Sequence, residues 1–517
     1  MRWTPVSLTL AFAAALASGD PILFTRERFD AMDEVIDRQR DFTRVSCEDY
    51  AWGESYMLRA YVEMYQATSD RDYLRRLVRV ADAIIATRDD RRPRPPGTPK
   101  PPAVWGLGGR MTVARLVLKD AAGRDCILLR SIRYAYNDQT VVDVVPGPDS
   151  TFTLKTSNEF WQEYGPAEAT FADLSLDPAS PRYFERVVND PQYIPDPAFR
   201  RIEGVADKPS FLLVATDLRR DRTVPTVLAP ISGAKLVPGI IPYYGYIGPI
   251  YSGMTRFASL VHRNPSLQAE FGAAARRFVR AARESLAAWD FCWRDGPGPD
   301  EGYYLLQPRG ADMWCDGVVA PLNYLGSAGQ VILGIWDCTG DTRMLDRARR
   351  IANLYKRACT VTDKGGYTWP YWGPPADRGW RREYRWSLNT PDYQAASPPD
   401  DLSHAAWELE FAVMCHERGI VFDRRDMRRF AATFTRQLWT GDTGNLALRV
   451  DGSGGSAEGN SMAGARWLDL CAIEPRIFDL NRELWTSNNW AQGVYGHLTG
   501  CYARMFRWQE ELGRGGR

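Results

Sequence analysis

Glu48-Asp49-Tyr50-Ala51-Trp52-Gly53-Glu54-Ser55-Tyr56 is the stretch whose reading decides the fold. Acids and aromatics crowd together there, and Leu58, Tyr61, Val62 and Tyr65 follow at helical spacing. The pattern predicts a helix over 48–67, a turn at Ser69-Asp70, and a return helix over 73–87. That second helix carries Leu74, Leu77, Val78, Ala81, Ile84 and Ile85 on one face. Four further segments share the texture: 246–251, Trp314-Cys315-Asp316, Asp400-Asp401-Leu402-Ser403-His404 and Ser487-Asn488-Asn489-Trp490. Each opens a helix, and in most cases a second helix soon follows. A ring of hairpins that gathers these segments at one end makes a cleft of tryptophan, tyrosine, carboxylate and amide. Aromatic faces cover the apolar side of a pyranose while polar groups take its hydroxyls, so a polysaccharide or oligosaccharide is the expected ligand.

Outward from this stretch the hairpins recur. Helical spacing predicts helices over 254–262 and 266–289, then 316–336 and 341–359 joined at Thr339-Gly340. A further pair covers 401–418 and 424–439, and 461–472 and 488–511 close the chain. Between 105 and 216 the texture changes to alternating runs such as Thr140-Val141-Val142-Asp143-Val144-Val145, punctuated by Gly and Pro, which read as strands. Asp120-Ala121-Ala122-Gly123-Arg124-Asp125 reads as a turn between two of them. Hairpins repeated without a strict sequence repeat favour a toroid over a regular solenoid. The expected fold class is therefore mainly α, an incomplete or full (α/α)6-type toroid with a β-rich insertion. Its parts are 20–104 and 217–517 for the toroid and 105–216 for the insertion.

Composition sets the outer limits. The 517 residues carry a net charge of +1, which does not favour nucleic acid as a partner. Residues 8–16 form a short apolar run after Arg2, and Ala15-Leu16-Ala17 fits a cleavage site, so 1–19 reads as an export signal and the chain as secreted or periplasmic. No later stretch approaches the roughly 20 apolar residues that span a bilayer. The nine cysteines are an odd number in apolar helical contexts, which suits packing, with one or two disulfides as the alternative. No CxxC pair is present, and 451–460 lacks the spacing of a calcium loop, so neither a metal nor a cofactor is expected.

The Trp52-Gly53-Glu54-Ser55-Tyr56 opening, the Thr339-Gly340-Asp341 turn and Pro321-Leu322-Asn323-Tyr324 resemble the six-hairpin, or α/α-toroid, superfamily over most of the chain. That group contains polysaccharide lyases, glucuronyl C5-epimerases and several glycoside hydrolases. The resemblance implies a carbohydrate-active enzyme, with Asn, His, Tyr and Arg at work in a lyase and paired acids in a hydrolase. A β-rich segment inside the helical array departs from the separate C-terminal β-sandwich of many such lyases.

Of four histidines, His404 is the sharpest candidate. It falls in a helix first turn after Pro398-Pro399, with Asp400 or Asp401 as the N-cap. The helix N-terminus disfavours imidazolium, whereas Asp401 would orient and stabilise it. Removing the C5 proton of a uronic acid requires a base and donors that neutralise the carboxylate. His404 or a tyrosine such as Tyr303 or Tyr367 supplies the base, and Asn323 with His404 or Asn489 supplies the donors. The leading expectation is β-elimination or C5-epimerisation of a uronate polysaccharide. A hydrolase is the competing one, using a carboxylate pair such as Asp49 and Asp316, and a non-catalytic glycan binder is the third. Trp52, Asp49, Glu54, Trp314, Asp316, Trp369, Trp372, Asn488, Asn489, Trp490 and His497 are the expected sugar-contacting residues. Each acid among them has an equally simple role in capping a helix.

Overall fold

The computed structural model describes residues 23–43, 47–93, 97, 99–107, 113–132, 136–159, 168–189, 213–393 and 396–515. The expected export signal lies outside the described residues. Helices dominate, in the order α1 (Arg26–Gln39), α2 (Cys47–Asp49), α3 (Ser55–Thr68), α4 (Arg71–Ala86), α5 (Phe184–Val188), α6 (Ile247–Arg263) and α7 (Pro265–Trp289). Then come α8 (Leu322–Thr339), α9 (Thr342–Ala358), α10 (Leu402–Glu417), α11 (Arg424–Thr433), a 3₁₀ helix over Glu458–Ala472, α12 (Arg476–Asn488) and α13 (Gly496–Gly515). Among the described residues, none is long and apolar enough to cross a membrane.

Two kinds of helix result from two kinds of pattern. α4, α9 and α11 are amphipathic, burying only one stripe each, such as Tyr73, Leu74, Leu77, Val80, Ala81, Ile84 and Ile85 of α4. α3, α6, α8 and α10 are buried nearly all round, which only helices enclosed by others tolerate. The enclosed helices pack in succession: α3 on α6, α6 on α8, α8 on α10, α10 on the 3₁₀ helix, that helix on α13, and α13 back on α3. The connecting turns use standard capping chemistry. Asp70, Asp341 and Asp423 each accept a hydrogen bond from the first-turn backbone of the helix they open. Gly340 closes α8 in the left-handed conformation at φ 67°.

Neighbouring enclosed helices run parallel. Gly253 lies against Leu58 and Arg59, and Gly326 lies against Trp407 and Glu408. Gly496 lies against Gly53 and Gly500 against Tyr56, so both numberings rise together. Their N-termini therefore share one end of the molecule. At Gly326 a Cβ would come 2.9 Å from the Glu408 Cα, so only glycine lets α8 and α10 approach this closely.

The β-rich segment forms two antiparallel four-stranded sheets. One has the order β6 (Val214–Asp217), β2 (Asp125–Ser131), β1 (Val113–Lys119), β8 (Val237–Gly239). The other runs β5 (Glu168–Ser175), β4 (Thr151–Ser157), β3 (Val141–Pro146), β7 (Ile231–Lys235). Asp120 holds the β1–β2 turn by accepting from the N–H groups of Ala122 and Arg124, both at 2.9 Å. Strands continue to Gly239 before helix resumes at Ile247. The sheets have their own core, with Leu129, Val142, Leu154 and Leu174 fully buried. Short pairs β9 (Trp293–Asp295) with β10 (Gly302–Tyr304), and β11 (Thr360–Val361) with β12 (Tyr367–Thr368), trim the helical array. All nine cysteines are free thiols.

Several expected elements take a different form. The first predicted helix is interrupted by a π-helical turn at Tyr50–Glu54. The helix expected from 316 begins only at Leu322, because Asp316 is spent on organising a loop. The helix expected over 488–511 is broken. α12 ends at Asn488, Asn489 turns left-handed at φ 52°, and α13 starts at Gly496.

Candidate functional site

The shared N-terminal end of the enclosed helices gathers a group centred on α10. Asp401 is its N-cap and accepts from the N–H groups of Ser403 at 2.8 Å and His404 at 3.0 Å. Its second oxygen meets His404 Nδ1, which fixes the tautomer with Nε2 as the basic nitrogen of the neutral ring. Burial works against ionisation of Asp401, but His404 and these backbone donors hold it down to about 2. The half-buried His404 ring sits edge-on to Trp52 at 5.9 Å and to Tyr371 at 5.4 Å. Trp52 in turn touches Tyr246 at 5.8 Å, Tyr324 at 6.3 Å and Trp407 at 6.3 Å.

Beneath this layer lie two buried carboxyl groups. Asp400 and Glu408 flank His404 at intervals of four residues and are both fully buried. No described N–H or O–H group reaches either oxygen of Glu408 or Oδ2 of Asp400. Burial pushes Glu408 up to about 8, and burial with the charge of Glu408 pushes Asp400 up as well. Asp400, Asp401 and His404 also bring three potential ligand atoms within 4.8 Å of one another, and these are the residues that would hold a cation.

Deeper still, Glu410 receives Arg504 at 2.6 Å, Arg466 at 3.4 Å and a close contact from Arg59. These arginines hold it well below the usual carboxylate range against the effect of burial. Arg59 and Arg466 also lie over the Trp407 ring, at 4.7 and 4.5 Å. Positive charge therefore backs the aromatic floor. Burial, followed by Arg466 and Arg59, pushes His497 down to about 3, so its ring, stacked on Tyr56 at 4.2 Å, is neutral.

The structure brings some expected residues together and separates others. Trp52, Asp401, His404 and His497 belong to this end. Asn323 is buried with both amide atoms lacking described partners. It lies one turn before Gly326, and Gln330 of the same helix face donates to the Trp407 carbonyl of α10. Helical register thus sets Asn323 level with the first turn of α10.

Other expected residues have these surroundings. The Tyr367 hydroxyl is bound to Asp426 at 2.7 Å and Arg429 at 2.9 Å, on α11. Tyr303 lies on β10 opposite Arg294, beside α9. Trp369 and Trp372 are buried, and Trp314 stacks on Trp380 at 5.9 Å, so these indoles build core rather than an open wall. Asp316 is enclosed by Ser387 Oγ at 2.5 Å and the N–H groups of Gly310, Leu388 and Asn389. Its carboxylate is fully buried among the described residues. Glu54 is taken by Arg40 at 3.0 Å, and Asp49 is exposed at the end of α2. Asn488 caps the Gly444 and Leu484 carbonyls, Asn489 is an exposed left-handed cap, and Trp490 packs edge-on to Trp485.

Tyr371, Tyr56, Trp407 and Glu408 emerge only here. Glu408 had a visible signal, since Asp400, His404 and Glu408 share one helical stripe. Tyr371 had none to separate it from its buried neighbours.

The sequence matches no protein-family model and no curated protein. Among solved structures it is similar to a D-mannose isomerase, at a TM-score of 0.34 and 12% identity over 55% of this chain and 75% of that one. It is also similar to a family 76 glycoside hydrolase from a bovine Bacteroides thetaiotaomicron strain. There the TM-score is 0.33 and the identity 10%, over 78% of this chain and 100% of that one.

Proposed function

We propose that the helices form an (α/α)6-type toroid and that its cleft catalyses proton transfer on a sugar. The cyclic packing from α3 round to α13 supports the toroid. The observation that carries the chemistry is the His404–Asp401 dyad, set between Trp52 and Tyr371 at the shared N-terminal end. Asp401 stabilises the imidazolium that forms when Nε2 takes a proton. Tyr246 and Tyr324, which touch Trp52, and Tyr371 beside His404 bring phenol hydroxyls to the same end as candidate proton donors. The unspent amide of Asn323 suits a substrate carboxylate or carbonyl.

On a uronic acid unit, His404 would remove the C5 proton. A tyrosine hydroxyl would then protonate the departing O4 oxygen, giving β-elimination, or the opposite face of C5, giving epimerisation. Export from the cell belongs to the same proposal.

Glycoside hydrolysis is the second reading, supported by the clustering of Asp400 and Asp401 with His404 at the first turn of α10. A panel of uronate and neutral polysaccharides, incubated in deuterated water, separates the two. Deuterium at C5 or absorbance from an unsaturated uronate, lost in His404→Ala, supports proton transfer at carbon. New reducing ends with neither signal would replace it with hydrolysis.

A further inference from the structure

The loop over 377–389 crosses the same end of the molecule and is not part of the site described above. Arg378, Arg381 and Arg385 are exposed on it, and Arg309 stands exposed on the neighbouring loop that precedes α8. Among the described residues no carboxylate pairs with any of these four arginines, although Arg382 is engaged by Asp392 at 3.3 Å. Among them stand the exposed Tyr384, at 51%, and the half-buried Trp386, with ring centroids 5.1 Å apart. On a chain of net charge +1, this concentration of unpaired guanidinium with aromatics is a local feature.

The loop is also braced. Asp316 grips Ser387, Leu388 and Asn389, while Asn389 donates to the Ala311 carbonyl at 2.6 Å and accepts from Arg130 of β2 at 3.0 Å. Arg115 and Arg130 both pair with the buried Asp312, so the β-sheets hold the platform in place. Rings also pack the loop against the site: Trp380 on Trp314 at 5.9 Å, Trp314 on Trp372 at 6.1 Å, Trp372 on Tyr371 at 6.0 Å, and Tyr371 on His404, so the platform is held in a fixed position relative to the dyad.

We propose that this arginine–tyrosine–tryptophan loop is a distal subsite for an acidic polysaccharide, holding carboxylate-bearing sugar units several positions away from the one at His404. The assignment rests on the sugar-processing reading and adds that the substrate is a polymer carrying regular negative charge. Guanidinium groups take carboxylates in bidentate pairs, and the rings take pyranose faces. Nucleic acid would also meet the charge, so single-stranded DNA is a competing arm of the test.

The test is binding of polygalacturonate to the full chain by titration calorimetry, against neutral galactan and single-stranded DNA of equal charge. In the combined variant Arg378→Gln, Arg381→Gln, Arg385→Gln, the Kd for polygalacturonate should rise about ten-fold, roughly 1.4 kcal/mol. Its salt dependence should flatten, and the urea midpoint should stay unchanged because all three side chains are exposed. Unchanged polymer affinity, an equal loss for galactan, or DNA bound as tightly as polygalacturonate would overturn it. Arginine-dependent binding without any turnover by the unaltered chain would keep the subsite and remove the proton-transfer reading.

Discussion

At the scale of single residues, Asp401 has two separable duties. As N-cap it accepts two backbone N–H groups, and as the partner of Nδ1 it stabilises charge on His404. Asparagine caps a helix as well as aspartate does. Asp401→Asn should therefore fold normally while turnover falls roughly 10²- to 10⁴-fold, the usual worth of acid–base assistance. A steady-state assay beside a thermal melt checks both halves. Glu408 makes a different prediction. It is pushed up to about 8 from an ordinary 4.5, so the folded chain holds a proton that the unfolded chain releases between those values. Its stabilising contribution is complete below pH 4.5 and is lost as pH rises through about 8. Urea midpoints of Glu408→Gln should be flatter across that window than those of the unaltered chain. His497 acts with the opposite slope. Held neutral down to about 3, it opposes stability as pH falls from 6.5, because only the unfolded chain then takes a proton.

At the scale of elements, the approach of α8 to α10 sets the site. Gly326→Ala would drive a methyl group into the Glu408 backbone, so α8 must shift. The expected cost is about 1–3 kcal/mol by urea denaturation, as for other overpacked cores, with activity lost through displacement of the α10 first turn. Helix texture was legible in the chain because apolar spacing dictates it, as in α4, α7 and α9. The interruptions at Tyr50–Glu54 and Asn489 were not, since a lone Gly53 does not by itself end a helix and packing against neighbouring helices decides both. The aromatic loop ahead of α10 shows the same limit. Of Tyr367, Trp369, Tyr371 and Trp372, only Tyr371 reaches the His404 ring, and composition gives no means of choosing it.

At the scale of the whole molecule, the charges between the enclosed helices tie the first hairpin to the last. Glu410 of α10 joins Arg59 of α3, Arg466 of the 3₁₀ helix and Arg504 of α13. Glu63 of α3 joins Arg507 of α13 at 2.7 Å. Glu410→Leu would leave three buried guanidinium groups facing one another. The expected loss is about 3–5 kcal/mol, as when one member of a buried ion pair is removed. Denaturant unfolding of the variant, set against Glu410→Gln, measures it.

The sequence by itself determined the helical hairpins, strand texture between them, and Asp401 as the cap that sets His404 in the first turn of α10. These follow from periodicity, capping and spacing within one short stretch of chain. Only the tertiary structure decided that Asp316, Tyr367, Trp369 and Trp372 are enclosed, that Tyr371 and Trp52 flank His404, and that Trp407 links Trp52 to Tyr56. Burial and partnership depend on residues hundreds of positions apart, such as Glu63 and Arg507, and no local pattern records them.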